Sequence, residues 1–258
     1  MVTQPLAGAG YLLRGLRLIA EPGLRRYAIL PLLINVLVFG GLLWLAADQF
    51  AALVDAVLPA LPSWLAWLAG VLWLLFALAA AVLIFFTFSV VANLIAAPFN
   101  DLLAEAVERR LGGHGPPGGG GMWRAVKGAP GAMLDELRKL GYFIRWAVPV
   151  LLLFLIPGVN LLAPIAWTVF TAWMLAIEYA DYPMGNHDLR PHRQRRILAA
   201  HRGLALGFGG MVMAGTLIPL ANFVVMPAAV AGASALWVQR LRPDGPEGAN
   251  GEEVSGIR

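Results

Sequence analysis

Four long runs without an ionisable side chain constrain this chain more than any other feature. Nothing charged at neutral pH lies between Arg26 and Asp48, Asp55 and Asp101, Arg145 and Glu178, or Arg202 and Arg240. Runs of 18 or more such residues read as membrane segments. Of 258 residues, 13% are charged, about half the ~25% usual in a soluble domain. The sequence predicts an all-α integral membrane protein that meets the bilayer several times.

Composition also excludes several chemistries. There is no cysteine, so disulfides, thiolate catalysis and zinc–thiolate sites are ruled out. The formal charge of +4 reports topology before nucleic acid, and no nucleic-acid motif accompanies it. No nucleophile–base set or metal signature is present, so the expectation is a non-enzyme without cofactor or metal. No cleavable signal is evident, because the first apolar run follows 26 mixed residues and continues as a spanning helix.

In chain order, a first span is expected at about Tyr27–Ala47, with Pro31 and Asn35 marking a kink. The loop 48–62 holds two aspartates and no Lys or Arg. A second span covers about Ser63–Ala92, roughly 45 Å of helix and so tilted or overhanging. Pro98 should then break the line, and Asn100 should cap a new amphipathic helix. Its apolar face is Leu102, Leu103, Ala106, Val107 and Leu111, with Glu105 and Arg109 paired one turn apart. Residues 112–121 read as a flexible Gly/Pro linker. A further amphipathic helix is expected at Gly131–Arg145, pairing Asp135 with Lys139. The whole is one membrane domain, 1–242, followed by a disordered acidic tail, 243–258.

Two apolar runs remain, Trp146–Ile177 and Gly203–Gln239, and neither supplies two full crossings with a turn. Each breaks near its middle in the same way, at Leu155-Ile156-Pro157-Gly158-Val159-Asn160 and at Leu217-Ile218-Pro219-Leu220-Ala221-Asn222. The repeat predicts two re-entrant helical hairpins, since non-helical backbone at membrane depth survives only inside protein or beside a watery cavity. With two spans and two hairpins, all 19 Lys and Arg residues fall on one side. The positive-inside rule favours that arrangement, with both termini cytoplasmic. Gly203, Gly207, Gly210 and Ala214 put small residues on one helix face. That permits close packing within the hairpin or, alternatively, along an oligomer seam.

One stretch stands out chemically, RGLRLIAEPGLRRYAILP from Arg14 to Pro31. Pro22-Gly23 ends one helix and Leu24-Arg25-Arg26 opens the next. A helix N-terminus offers unpaired amides and partial positive charge, and two guanidiniums stand beside it. Gly23, Leu24, Arg25 and Arg26 therefore form a candidate anion site. The competing reading is that these arginines are topology signals and lipid head-group anchors. Between the hairpins lies EYADYPMGNHDLRPHRQRR. Its Glu178, Asp181, His187, Asp188 and His192 suit a hydrogen-bonded membrane-surface cap better than a metal site.

Three separated segments resemble the CysZ sulfate permease family: GLRLIAEPGLRRYAILPLLINVLVFG, ANLIAAPFNDLLAEAVE and EYADYPMGNH. The resemblance spans about residues 8 to 240 and omits the linker and the tail. It implies sulfate uptake across the bacterial inner membrane, feeding sulfate assimilation and cysteine synthesis. It also implies sulfate contact at Gly23, Leu24, Arg25 and Arg26, and a homo-oligomer around a pore.

Moving a divalent anion into a negative interior costs about 4.6 kcal/mol per 100 mV. A passive pore then works only with prompt consumption, and otherwise protons must enter too. Glu105, Glu178, Asp181 and His187 are the candidate pore or proton-linked groups, with structural ion pairing as their alternative role. Two functions stay open at this stage. One is a sulfate channel or proton-linked permease. The other is a non-transporting scaffold or assembly factor whose basic face binds lipid or a partner.

Overall fold

The computed structural model describes residues 3–57, 67–112, 122–218 and 221–242, and all regular structure among them is helical. The chain order is α1 (Thr3–Ala20), α2 (Arg25–Val57), α3 (Leu68–Arg110), α4 (Met122–Leu152), α5 (Ala163–Asn186), α6 (Pro191–Ala200), α7 (Arg202–Thr216) and α8 (Asn222–Leu236). A π-helical turn, Trp237–Leu241, extends α8. The expected linker from residue 113 to 121, the tail from 243, and the second repeat's Pro219 and Leu220 lie outside the described residues.

Among the described residues, two helices are long and apolar enough to cross a membrane, Arg25–Ala56 and Asn222–Leu241. This differs from the expected pair, because the second candidate comes from the last apolar run. Within the expected second span, the described apolar stretch is Leu68–Ile84 at the start of α3. Residues 58–66 lie outside the described part. Pro98 does not break the chain here: α3 runs through it for 43 residues. A proline in a helix removes one backbone hydrogen bond, and neighbouring turns can carry that loss, as α2 also does at Pro31. Asn100 is accordingly no N-cap, and its amide donates to the Tyr182 hydroxyl at 3.3 Å.

Residues 29–97 form one compact unit, built from the apolar lengths of α2 and α3. Phe50 of α2 stacks on Phe76 at 4.6 Å and meets Trp73 edge-on at 5.0 Å. Such aromatic pairs stabilise by about 1 kcal/mol beyond burial. Elsewhere on this unit large side chains such as Leu37, Trp44 and Leu83 are exposed. An apolar surface so extensive needs lipid or protein against it.

The second unit, residues 1–28 with 98–258, holds the buried core. Its centre is α1, wedged against α7 and α8. Glycines make that wedge possible. A Cβ at Gly15 would run into the Ala228 carbonyl, and one at Gly207 into the Pro5 carbonyl. Gly209 abuts the Ala172 carbonyl of α5 in the same way. The small-residue face of α7 therefore packs on α1 and α5, not within its own hairpin, and Gly210 is looser than expected.

Both repeated breaks coincide with turns. At the first, α4 tightens into 3₁₀ turns at Leu153–Leu155 and Val159–Leu161, with Gly158 between them at φ 85°. That positive φ suits glycine alone. At the second, α7 ends at Thr216 and Asn222 opens α8. Helices α4 and α5 touch one another, as do α7 and α8, and α6 meets α7 at 104°.

Candidate functional site

The α1–α2 connection is built as the sequence suggested. Helix α1 stops at Ala20, and Gly23 adopts φ 95° with open space around its missing Cβ. The next residue, Leu24, is buried in the core and anchors the turn. Pro22, Gly23, Arg25 and Arg26 are exposed.

The amides are only partly available. Those of Leu24 and Arg25 both donate to the Glu21 carbonyl, at 3.1 and 3.2 Å. The amides of Gly23 and Arg26 enter no backbone hydrogen bond of the turn among the described residues. Arg26 donates to the Tyr27 hydroxyl at 3.0 Å, with its guanidinium 4.8 Å from that ring's centroid. Arg25 makes no ion pair among the described residues. The turn thus offers two free N–H groups and two guanidiniums to an anion, with no carboxylate competing for Arg25.

Glu21 fixes the turn from its other end, accepting from Arg110 Nε at 3.1 Å. Arg14 looks like part of the same basic patch in sequence, yet it points elsewhere. It donates to Gln239 Oε1 at 2.7 Å, and the Tyr11 hydroxyl donates to the same oxygen at 3.1 Å.

The polar hub gathers where α3, α5 and α6 meet. Glu105 is buried and pairs with Arg109 at 3.3 Å, as the one-turn spacing required. Asp181 accepts from Lys139 of α4 and from Gln194 Nε2 at 2.6 Å. Lys139, expected to pair with Asp135, also has this tertiary partner; the Asp135 side chain lies outside the described residues. His187 lies 2.7 Å from Glu108. Glu178 stays on the exposed side of α5. Of the four expected pore or proton-linked groups, Glu105 and Asp181 therefore share a neighbourhood, His187 joins it through α3, and Glu178 faces outward.

Two further acids belong here that the sequence reading passed over. Asp101 lies beyond the apolar part of α3 and is pushed up to about 6, first by burial and then by Asp181 and Glu105. Glu108 is wholly buried with one carboxyl oxygen unpartnered, and burial raises it too. A carboxyl one turn from the Glu105–Arg109 face could have been flagged as unusual; its distant histidine could not. Among the described residues no group of His and acids is arranged to hold a metal.

Against known families, residues 11–227 match the family model described as Sulfate transporter CysZ/Etoposide-induced protein 2.4. A curated relative named "Sulfate transporter CysZ" from Pseudomonas paraeruginosa is 46% identical over 236 residues, 91% of this chain and 95% of that protein. One of the same name from Pseudomonas aeruginosa is 45% identical over 91% and 95% of the two chains. Another from Pectobacterium atrosepticum is 42% identical over 92% and 86%.

Proposed function

The chain belongs to the sulfate transporter CysZ/etoposide-induced protein 2.4 family, and from that premise we propose that it carries sulfate inward across the bacterial inner membrane. The supply would feed sulfate assimilation and cysteine synthesis. The observation that carries this reading is full-length likeness to relatives named for sulfate transport, at 42–46% identity. It is supported by an exposed basic turn with spare amides and by apolar helices of spanning length. The family is named for transport, so no catalytic role is assigned.

In this reading, Gly23, Leu24, Arg25 and Arg26 receive sulfate at the cytoplasmic end of α2, with Leu24 holding the turn from beneath. The α4–α5 and α7–α8 pairs enter and leave on one face, both termini are cytoplasmic, and copies of the chain assemble side by side. The exposed apolar lengths of α2 and α3 contact lipid and those neighbouring copies.

The test is radiolabelled sulfate flux into proteoliposomes of the purified protein. Uptake above protein-free vesicles, outcompeted by unlabelled sulfate, is expected. Flux equal to that of empty vesicles would favour the scaffold reading instead.

A further inference from the structure

We propose that Arg145 of α4 and Arg195 of α6 hold the phosphate of an anionic phospholipid beside the Tyr142 ring. The site goes beyond the sulfate reading and does not depend on it. Three helices meet at that ring. The Tyr142 hydroxyl accepts from Trp173 Nε1 of α5 at 3.1 Å, and the Arg195 guanidinium lies 4.5 Å from the ring's centroid. Stacking of this kind fixes a guanidinium in place while leaving its charge unneutralised. All three helices belong to one compact unit.

Two observations point to an anionic ligand. Arg195 Nη1 is buried and donates to nothing, and a buried donor without an acceptor is costly. Neither Arg195 nor Arg145 enters an ion pair among the described residues. Arg145 is exposed and follows Tyr142 by three residues, which puts their Cβ atoms about 5–6 Å apart on one face of α4. The acid that these helices reach does not compete. Asp181 accepts from Lys139, three residues before Tyr142, and from Gln194, which directly precedes Arg195.

The surroundings select a lipid over a free anion. Leu137, Leu140 and Ile144 form a helical stripe on α4, and all three are exposed. An apolar stripe beside guanidiniums suits a helix lying in the membrane interface, with acyl chains along the stripe and phosphates level with the arginines. Trp146 is half exposed, and tryptophan favours that level. A phosphodiester presents two unbridged oxygens to the planar fork of a guanidinium. Exposed Arg193 and Arg196 on α6 add a positive field that favours anionic over zwitterionic lipid. A soluble anion would make no use of the stripe.

The test titrates the full-length protein, in neutral detergent, with phosphatidylglycerol or phosphatidylcholine and counts bound lipid by native mass spectrometry. Phosphatidylglycerol should bind preferentially, and Arg145→Gln/Arg195→Gln should weaken it about tenfold. Arg145→Gln alone breaks no ion pair among the described residues. It should weaken binding several-fold, and it carries the test if the double variant does not fold. Arg25→Gln/Arg26→Gln should bind the lipid as the native chain does. Equal binding of the two lipids, or of phosphatidylglycerol by native and Arg145→Gln chains, would overturn the proposal. So would a loss confined to Arg25→Gln/Arg26→Gln, which would make the arginine turn the lipid anchor. Displacement of the lipid by equimolar inorganic sulfate would assign Arg145 and Arg195 to a soluble anion instead.

Discussion

His187 Nε2 sits 2.7 Å from Glu108 Oε2, and the glutamate has no exposed surface at all. The contact ties the end of α5 to α3 across 79 residues of chain. A buried carboxyl depends on its partner, so His187→Ala should lower the melting temperature sharply, by the equivalent of about 3 kcal/mol. Glu108→Gln keeps a hydrogen-bonding shape without the charge and should cost about 1 kcal/mol or less. Thermal unfolding of both variants checks the order. Similar losses would mean the pair is only packing.

Asp101 gives a pH signature. Its folded value, about 6, lies above the ordinary 3.8, so the folded state holds that proton more tightly than the unfolded chain does. Stability from this group is therefore full below about 4 and declines as pH rises toward 6. Asp101→Asn should flatten that decline and raise stability at pH 7.5 by up to about 2 kcal/mol. Melting curves at pH 5 and 7.5 decide it, and an unchanged pH dependence would count against the shift.

The arginine turn makes a graded set. Arg25→Ala should weaken sulfate binding about tenfold or more, through loss of a charge-assisted contact. Arg17→Ala, equally exposed but one turn away, should change only the surrounding field. Arg14 is a poor control because its removal would strip the bond to Gln239. Gly23→Val forces a branched residue to φ 95° and should reshape the turn while leaving net charge alone. If Arg17→Ala matches Arg25→Ala and Gly23→Val binds normally, only diffuse attraction is at work.

The glycine contacts predict opposite signs for one kind of change. Gly15→Ala would drive a methyl into the Ala228 carbonyl and should cost several kcal/mol. Gly10→Ala meets nothing within 4 Å and should stabilise α1 by about 0.5–1 kcal/mol. Unfolding of the two variants in one detergent is a direct comparison.

Topology is testable with single cysteines and a membrane-impermeant reagent. Asp55 and Arg193 are exposed, unlike Gln194, which is buried. Asp55→Cys and Arg193→Cys should label from opposite faces, with Gly245→Cys sharing the face of Arg193. Labelling of Asp55 and Arg193 from the same face would exclude the hairpin arrangement.

What the sequence disclosed follows from distance along the chain. Uncharged runs, the Pro22-Gly23 break, the Glu105–Arg109 pair and the turns at Leu155 and Leu217 are local events, and local patterns reveal them. Helix continuity through Pro98 was misread, because whether a proline ends a helix depends on what surrounds it. The contact of Lys139 with Asp181, 42 residues away, left no local trace. Glu108 was passed over, because the histidine that meets it lies 79 residues away. The central place of α1 was hidden for the same reason, since its apolar stripe is ordinary and its partners lie near the other end of the chain.

That last arrangement governs how the protein must be made. Helix α1 leaves the ribosome first, but the glycines that receive it and the glutamine that ties Arg14 lie more than 200 residues downstream. Such distant closure is slow and comes late. Until α7 and α8 arrive, α1 lacks its main packing partners, and the arginine turn that follows it has no fixed address. A chain interrupted anywhere from residue 27 to 238 would carry the whole candidate anion-binding motif without the glutamine that ties α1.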